Sequence, residues 1–534
     1  MPNYNYHASV EDDDLIAPDI ESINVTGGKF AELDPTMSSL GGIGDKESEP
    51  LTWWQTLAVH YQYVTVGFFY GSMQPLMYPI FNHMLGMQSY AVKGGYQVMT
   101  IWWTLKMFIG AFSDAFPIMG YRRKPYILIG WTLAVAMTVV TITLGQPHKG
   151  DAAWPYLMCF SAINFFYIIA DVAMDGMVTD LAQREKESDR GKLQSGIYFA
   201  RFIAMAVTSA LMAFGFSDER YGGTFSWSFD LPDYLLILVG IGLLGLYPYY
   251  RMEEEGGYQR QSYTGQFVKL FKRVQLNAVW RVVCFSFSVH FFAYISNAAS
   301  YDIVKQWCNT EPWVNGLFSN VLSNLVIAGG IWITKKYLLN TSWHKILFWS
   351  IIGMSLLAYI PAIIVDLGVT RSQYFYAAAP LVSQLVMGIF FIVSSYCAVE
   401  VAEPGSEAIM YGLITTVGNL TVPFTTLISS MLATAFNLYD KDGNLHDDDA
   451  GRKRMLALDT VIFFLQLCAL PTLLILPQQK AQIQALIATG ARSYKMAVLV
   501  VVLLTFCMIW SLMGNFMQIF EGTACLKIVG GSGC

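Results

Sequence analysis

Gly110-Ala-Phe-Ser-Asp114-Ala-Phe-Pro117-Ile-Met-Gly120-Tyr121-Arg122-Arg123-Lys124-Pro125-Tyr126 is the stretch on which the fold turns. An apolar run closes at Asp114, a turn containing Pro117 and Gly120 follows, and three consecutive cations lead into Pro125 and a second apolar run. Apolar segments about twenty residues long, joined by a short basic loop, are what a chain crossing about 30 Å of hydrocarbon twice would carry. Asp114 is the anomaly. It stands where a helix ends, and the helix dipole disfavours a carboxylate there, so it needs a cation such as Arg122 or the amino terminus of another helix. Contacts of that kind form in one conformation and break in another. Asp114, Arg122 and Arg123 are therefore gating candidates, with Asp180, at the end of a later run, as a fourth that would hold another loop arginine. The plainer reading of the same cations is a static topology signal.

Outward from this stretch the pattern repeats. Apolar runs are expected near residues 56–80, 91–112, 125–145, 155–179, 192–216 and 233–250, then 277–300, 313–334, 344–366, 374–401, 408–436 and 456–477, with one more at 496–516. The composition agrees: of 534 residues, 54% are hydrophobic and only 13% charged, against about a quarter charged in soluble domains. The reading is an all-α polytopic membrane protein of two six-helix bundles, 51–250 and 277–477. A cytoplasmic linker at 251–276 joins them. Residues 1–50 are expected to form a disordered cytoplasmic tail with no signal or transit peptide, and 478–534 to hold an amphipathic linker, a thirteenth helix and a short tail. Six spans, a basic linker and six spans is the layout of a major facilitator, whose halves repeat and whose site lies near the midplane. Phe165-Phe166 before Asp175 and Phe390-Phe391 before Glu400, at equal spacing, hint at that repeat.

Loop cations concentrate on one side, including Arg122, Arg123, Lys124, Arg184, Lys186, Arg190, Lys192 and those of the central linker. This puts the amino terminus in the cytoplasm. The loop at 437–455 is the exception, with Lys441, Arg452, Lys453 and Arg454 beside Asp447, Asp448 and Asp449.

Ionisable residues inside spans are costly and so become functional candidates. Lys106, Asp171, Asp175 and Arg201 qualify in the first half. Asp171 and Asp175, four apart, share a helix face. Counting from the basic loops at 1.5 Å per residue puts Lys106, Asp171 and Arg201 roughly 12–14 Å deep, at one level. Either the four lock the bundle as a fixed ion-pair cluster, or they serve transport. In the second case Lys106 or Arg201 would hold a substrate anion and Asp171 or Asp175 would accept a proton. In the second half Glu400 is placed within the membrane, with Glu403 and Glu407 at its surface in a gate or solvated ion pair. His60 and His290 read as packing residues first. Gly67-xxx-Gly71 permits close helix approach, and Pro75, Pro79 and Pro423 are candidate helix breaks.

The loop around Asp114 resembles the loop-two signature of the folate–biopterin transporter family, a branch of the major facilitators. The likeness continues in Ala170-Asp171-Val-Ala-Met-Asp175-Gly and in Gly191-Lys-Leu-Gln194-Ser195 with Arg201. Beyond residue 205 it rests on layout. The resemblance implies transport of folates, pterins or related compounds by a monomeric, proton-coupled symporter. It also implies that the helix terminus offered to Asp114 is that of span eleven. Another organic anion, a nucleoside-like solute, or a non-transporting receptor or scaffold on the same fold remain the alternatives.

No nucleic-acid partner, cofactor or enzyme motif is expected: the net charge is only −6, and the eight cysteines show no CxxC pair or metal-ligand spacing. If the thirteenth run spans, Cys525 and Cys534 meet an oxidising compartment with Cys308 and a Cys525–Cys534 disulfide becomes available. The plasma membrane is the default location. Glu11-xxx-Leu15-Ile16, an acidic dileucine pattern, raises an endosomal or vacuolar one, and sequons at Asn24, Asn340 and Asn419 are expected to stay unglycosylated.

Overall fold

The computed structural model describes residues 52–87, 89–183, 185, 189, 191–252, 254, 256–402, 407–439 and 444–529. The expected tail at 1–50 with its dileucine pattern and Asn24, the loop cations Arg184, Lys186, Arg190 and Lys441, and Glu403 and Cys534 lie outside those residues.

Every expected apolar run is helical. The first-half spans are Trp53–Leu76, a broken second span in pieces Ser89–Thr100 and Lys106–Ala115, Lys124–Thr143, Ala153–Gln183, Lys192–Gly215 and Leu231–Arg251. Asn277–Tyr294, Pro312–Leu338, Trp343–Asp366, Gln373–Glu400, Glu407–Ala435 and Asp449–Leu474 are spans seven to twelve, and Tyr494–Ile519 is span thirteen. Among the described residues, nine of these are long and apolar enough to cross a membrane on composition alone. Span two misses because it is broken. Spans one, seven and eleven miss because they carry polar side chains such as Gln62, Ser72, His290, Thr416 and Thr421, which the protein interior buries. The linker regions are partly helical too, at Tyr263–Val274 and Lys480–Thr489.

Without a hydrophobic drive between helices in lipid, close packing at small residues sets the neighbours. Span one lies along span five because Gly67 lets the backbones touch: a Cβ there would come within 2.6 Å of the Arg201 carbonyl oxygen and 2.8 Å of Ala204 Cβ. Spans eight and ten pair in the second half, and span eleven crosses to pack on spans two and four. Span thirteen covers the seam between spans two and eleven. Cys525 is disulfide-bonded, and the partner expected for it, Cys534, lies outside the described residues. Cys308 is a buried free thiol.

The expected breaks at proline do not form as such. Pro75 and Pro423 sit inside continuous helices, and span one runs through Pro79 in wider turns to Met84. In the loop that departs from the charge rule, several of the described charges are paired. Arg371 grips Asp447 with two bonds of 2.8 and 2.7 Å, Arg452 adds a third of 2.9 Å, and Lys453 pairs with Asp449 at 2.7 Å. Hydrogen bonds from Arg371 hold the Asp447 carboxyl down to about 2. The strap is therefore intact above pH 4 and is lost only as pH falls through about 2.

Gly67→Val is expected to lower thermal stability in detergent by about 1–3 kcal/mol through overpacking, whereas Gly240→Ala, which meets open space, leaves it unchanged or raised. Equal melting curves for both variants would refute the packing account.

Candidate functional site

Span two breaks at the level of the charges. Ile101–Leu105 winds into a tight turn between two α-helical pieces, and the second piece begins at Lys106. Backbone groups released inside a membrane need new partners, and span eleven supplies them. Asn419 Nδ2 donates to the Trp103 carbonyl at 3.0 Å, and Thr416 Oγ1 accepts from Met107 N–H at 3.0 Å. No proline marks this break, which is why the sequence did not announce it.

The four expected charges come together. Lys106 Nζ donates to Asp171 Oδ2 at 2.7 Å and to Asp175 Oδ2 at 2.5 Å, and Tyr63 OH donates to Asp175 Oδ1 at 2.6 Å. All three charged residues are buried. Arg201 stands off. Its Nη1 lies 3.9 Å from Asp171 Oδ1, too far for a hydrogen bond, and that oxygen has no hydrogen-bond partner. The guanidinium instead faces Trp103 and Tyr70, 4.8 and 5.4 Å from their ring centroids, while Lys106 Nζ is 4.9 Å from Trp103. Lys106 is thus committed to two carboxylates, and the donors of Arg201 are unspent among the described residues. Beside the cluster lies a cavity of about 80 Å³ lined by Tyr70, Trp103, Asn419, Pro423 and, from span thirteen, Ser511 and Asn515. Pockets for drug-sized ligands run to about 300–1,000 Å³, so this cavity is too small to hold one.

The gating candidates build a clamp across the two halves. Arg123 Nη2 reaches Asp114 Oδ1 at 2.7 Å and Glu407 Oε2 at 3.1 Å, and Asp114 Oδ2 accepts from Ile409 N–H at 3.0 Å, in the first turn of span eleven. Asp114 has both kinds of partner expected of it, a cation and a helix amino terminus, but the cation is Arg123. Arg122 stacks on Tyr258 at 3.8 Å and lies 3.7 Å from Glu407. Glu407 is buried and not at the surface. Gly110 permits the approach, since a Cβ there would meet the Ala408 carbonyl oxygen at 2.6 Å. Nearby, Tyr198 and Tyr411 hydroxyls meet at 2.8 Å, Ser195 bonds Tyr396, and Gln183 donates to the carbonyls of Val399 and Ala402. All of these join the halves at the end that carries the basic loops.

Asp180 ends span four among partners of its own, and the loop arginines Arg184 and Arg190 lie outside the described residues. Glu400 is not in the cluster: its carboxylate accepts from Gln484 Nε2 at 2.9 Å, on the helix after span twelve. His60 and His290 each bond the carbonyl four residues back. Two features escaped the sequence reading. Glu254 in the linker accepts from the backbone N–H groups of Arg122, Arg123 and Lys124 at 2.7–3.1 Å, capping span three. Asp366 and Asp459 are buried carboxylates of spans nine and twelve. Asp459 is served by Asn297 at 2.8 Å, while neither Asp366 oxygen has a hydrogen-bond partner. Charges within or at the ends of apolar runs are the signal that would have found this pair.

Fold comparisons agree with this architecture. The structure superposes on the human organic anion transporter MFSD10 with a TM-score of 0.54 at 13% identity, over 78% of this chain and all of that one. On the proton:xylose symporter XylE the values are 0.56 and 11%, over 81% and 98%. At such identities the likeness speaks for the fold: this is a multi-pass membrane protein with the major facilitator fold. Residues 67–218 match the model of the BT1 family. Probable folate-biopterin transporter 4 of Arabidopsis thaliana is 32% identical over 119 residues, 22% of this chain and 24% of that protein. The folate-biopterin transporter of Synechocystis sp. is 24% identical over 347 residues, 62% and 65% of the two. The chain therefore matches less than two thirds of the length of these relatives. Family model and relatives together support the folate–biopterin transporter family for this chain, a family of transporters and not of enzymes.

Arg123→Ala would leave Asp114 and Glu407 buried without their shared cation, a cost of about 3–5 kcal/mol to this contact between the halves. Faster hydrogen–deuterium exchange over residues 407–415 is the expected result, and unchanged exchange would show that Arg123 does not hold the two halves together here. Asp366→Asn gives Asp459 a donor and removes an unpartnered carboxylate, so a gain of about 1–3 kcal/mol in stability is expected in thermal unfolding of the purified protein.

Proposed function

We propose that the protein is a secondary active transporter that moves folate, biopterin or related pteridines across a membrane by alternating access, coupled to protons. The observation that carries this reading is Arg201. Its guanidinium is buried beside a broken span, stacked against aromatic rings and without a hydrogen bond among the described residues. Such a group is held in reserve for an anion, and a planar fork over aromatics suits a carboxylate attached to a flat heterocycle. Lys106, shared by Asp171 and Asp175, supports proton coupling. Protonating one carboxylate would release the ammonium to the other and change the attraction on Arg201.

Alternating access is supported by the clamp. Asp114, Arg123, Glu407 and the first turn of span eleven hold the basic end shut, and opening that end must separate Arg123 from at least one carboxylate. In this reading the basic end is cytoplasmic, the carrier works as a monomer, and the plasma membrane is its site. The relatives' names, folate-biopterin transporter, favour the pterin class over other organic anions or nucleoside-like solutes.

The test is uptake of labelled folate and biopterin into liposomes holding the purified protein, with and without an inward proton gradient. Saturable uptake stimulated by the gradient is expected. Arg201→Ala should weaken apparent affinity about 10- to 100-fold, the worth of a lost charged hydrogen bond, and Asp175→Asn should abolish the stimulation. No pterin uptake by folded protein would overturn the substrate class. Uptake unaffected by either substitution would return the charged layer to a structural role and leave transport standing.

A further inference from the structure

The two seams where the halves meet are not treated alike. At the seam of spans two and eleven, span thirteen lies across the junction. On the other side, spans one, five and eight leave a crevice of about 650 Å³. From span five it is lined by Gly196, Phe199, Ala200, Ile203 and Val207, a stripe at helical spacing along one face. From Gly196 to Val207 this stripe rises roughly 16 Å at 1.5 Å per residue, close to half of the roughly 30 Å hydrocarbon thickness. Phe199, Val207 and Trp332 on its walls are exposed, and they lie on membrane-spanning helices, where exposed apolar side chains face hydrocarbon.

One end of the crevice is cationic. Lys335, in the last turn of span eight, lines it, and Gly196 makes the room. A Cβ at 196 would lie 3.2 Å from Lys335 Nζ and 3.0 Å from His60 Nε2. His60 uses its other ring nitrogen on the Thr56 carbonyl at 2.7 Å. Lys335 has no ion-pair or hydrogen-bond partner among the described residues. The nearby Glu185 is occupied by the Gly191 and Leu193 N–H groups at 2.9 and 3.1 Å. Lys336 lies beside it, stacked on Trp332 and Tyr337 at 4.8 and 5.0 Å, an arrangement suited to the interface between hydrocarbon and water.

From these features we infer that the crevice is a binding site for an anionic phospholipid. One acyl chain lies along the span-five stripe, and the phosphate sits against Lys335 with Lys336 beside it. The charge argues for an anionic headgroup, since a half-buried ammonium without a counter-ion favours a net negative partner over a zwitterion. The length and apolar walls argue for an acyl chain and against a free anion. The site is separate from the Lys106 cluster and does not depend on the transport reading. It does sit beside Ser195, which bonds Tyr396 across the halves, so the lipid would touch the seam that must move in alternating access.

The test is lipid retention by the purified full chain in native mass spectrometry, after incubation with phosphatidylglycerol or phosphatidylcholine of matched chains. The wild type should retain phosphatidylglycerol several-fold better. Lys335→Gln should lose that preference while keeping phosphatidylcholine, Lys335→Arg should keep it, and Ala200→Phe, which fills the stripe, should lose retention of both. Glycerol phosphate, the headgroup without chains, should not compete. Equal retention of the two lipids by the wild type would overturn the proposal, and so would an unaltered preference in Lys335→Gln. Full competition by glycerol phosphate would also overturn it, by reducing the site to a surface cation.

Discussion

An ammonium buried in the middle of a membrane protein must be neutralised where it stands, and the first half of this chain is arranged around that requirement. Lys106 is 3% exposed and is held by two carboxylates from one face of span four. Removing the ammonium would leave two buried carboxylates without their shared cation in a medium where water cannot compensate. The tight turn ahead of Lys106, the hydroxyl of Tyr63 on Asp175 and the aromatic surface of Trp103 all serve this one pairing. Arg201 stands off from it, with Nη1 3.9 Å from Asp171 Oδ1 and no hydrogen bond among the described residues.

The same constraint recurs at the basic end with a different outcome. There Arg123 is shared between Asp114 and Glu407, from the two halves. The triad of Lys106, Asp171 and Asp175 lies within one bundle, so moving the halves apart does not by itself break it. The Arg123 triad spans the two halves, so any separation of the halves at this end would have to break it. The backbone of Arg122, Arg123 and Lys124 is held by Glu254 of the linker, so the clamp is aimed by a segment outside both bundles. Helix amino termini take carboxylates readily, which explains how Asp114, badly placed on its own helix, is well placed against span eleven.

Span thirteen alters the surroundings of this machinery. By covering one seam it turns the cavity beside Trp103 into a largely protein-lined space, with Ser511 and Asn515 on its wall. The opposite seam keeps an apolar crevice with a cation at its end. The asymmetry lies in the added helix and not in the twelve-span plan.

Read alone, the chain determined a good deal. Apolar runs set by the thickness of hydrocarbon place all thirteen helices, and the cost of intramembrane charge singles out Lys106, Asp171, Asp175 and Arg201 at one depth. The wrong helix end occupied by Asp114 foretells a partner, and Gly67 and Gly71 foretell a close neighbour. What periodicity and composition do not contain is distance between segments far apart in sequence. Only the tertiary structure decided that Arg123, not Arg122, reaches Asp114, because the direction of each side chain depends on a loop pinned by Glu254, more than a hundred residues away. Only it decided that Glu400, at the end of span ten, is bonded to Gln484 on a helix outside the spans, that Glu407 is buried beside Arg123, and that Asp366 is left without a hydrogen-bond partner among the described residues. The break in span two is of the same kind. Its local sequence permits a continuous helix, and the turn persists because Asn419 and Thr416, brought from the other half, take up the backbone groups it releases.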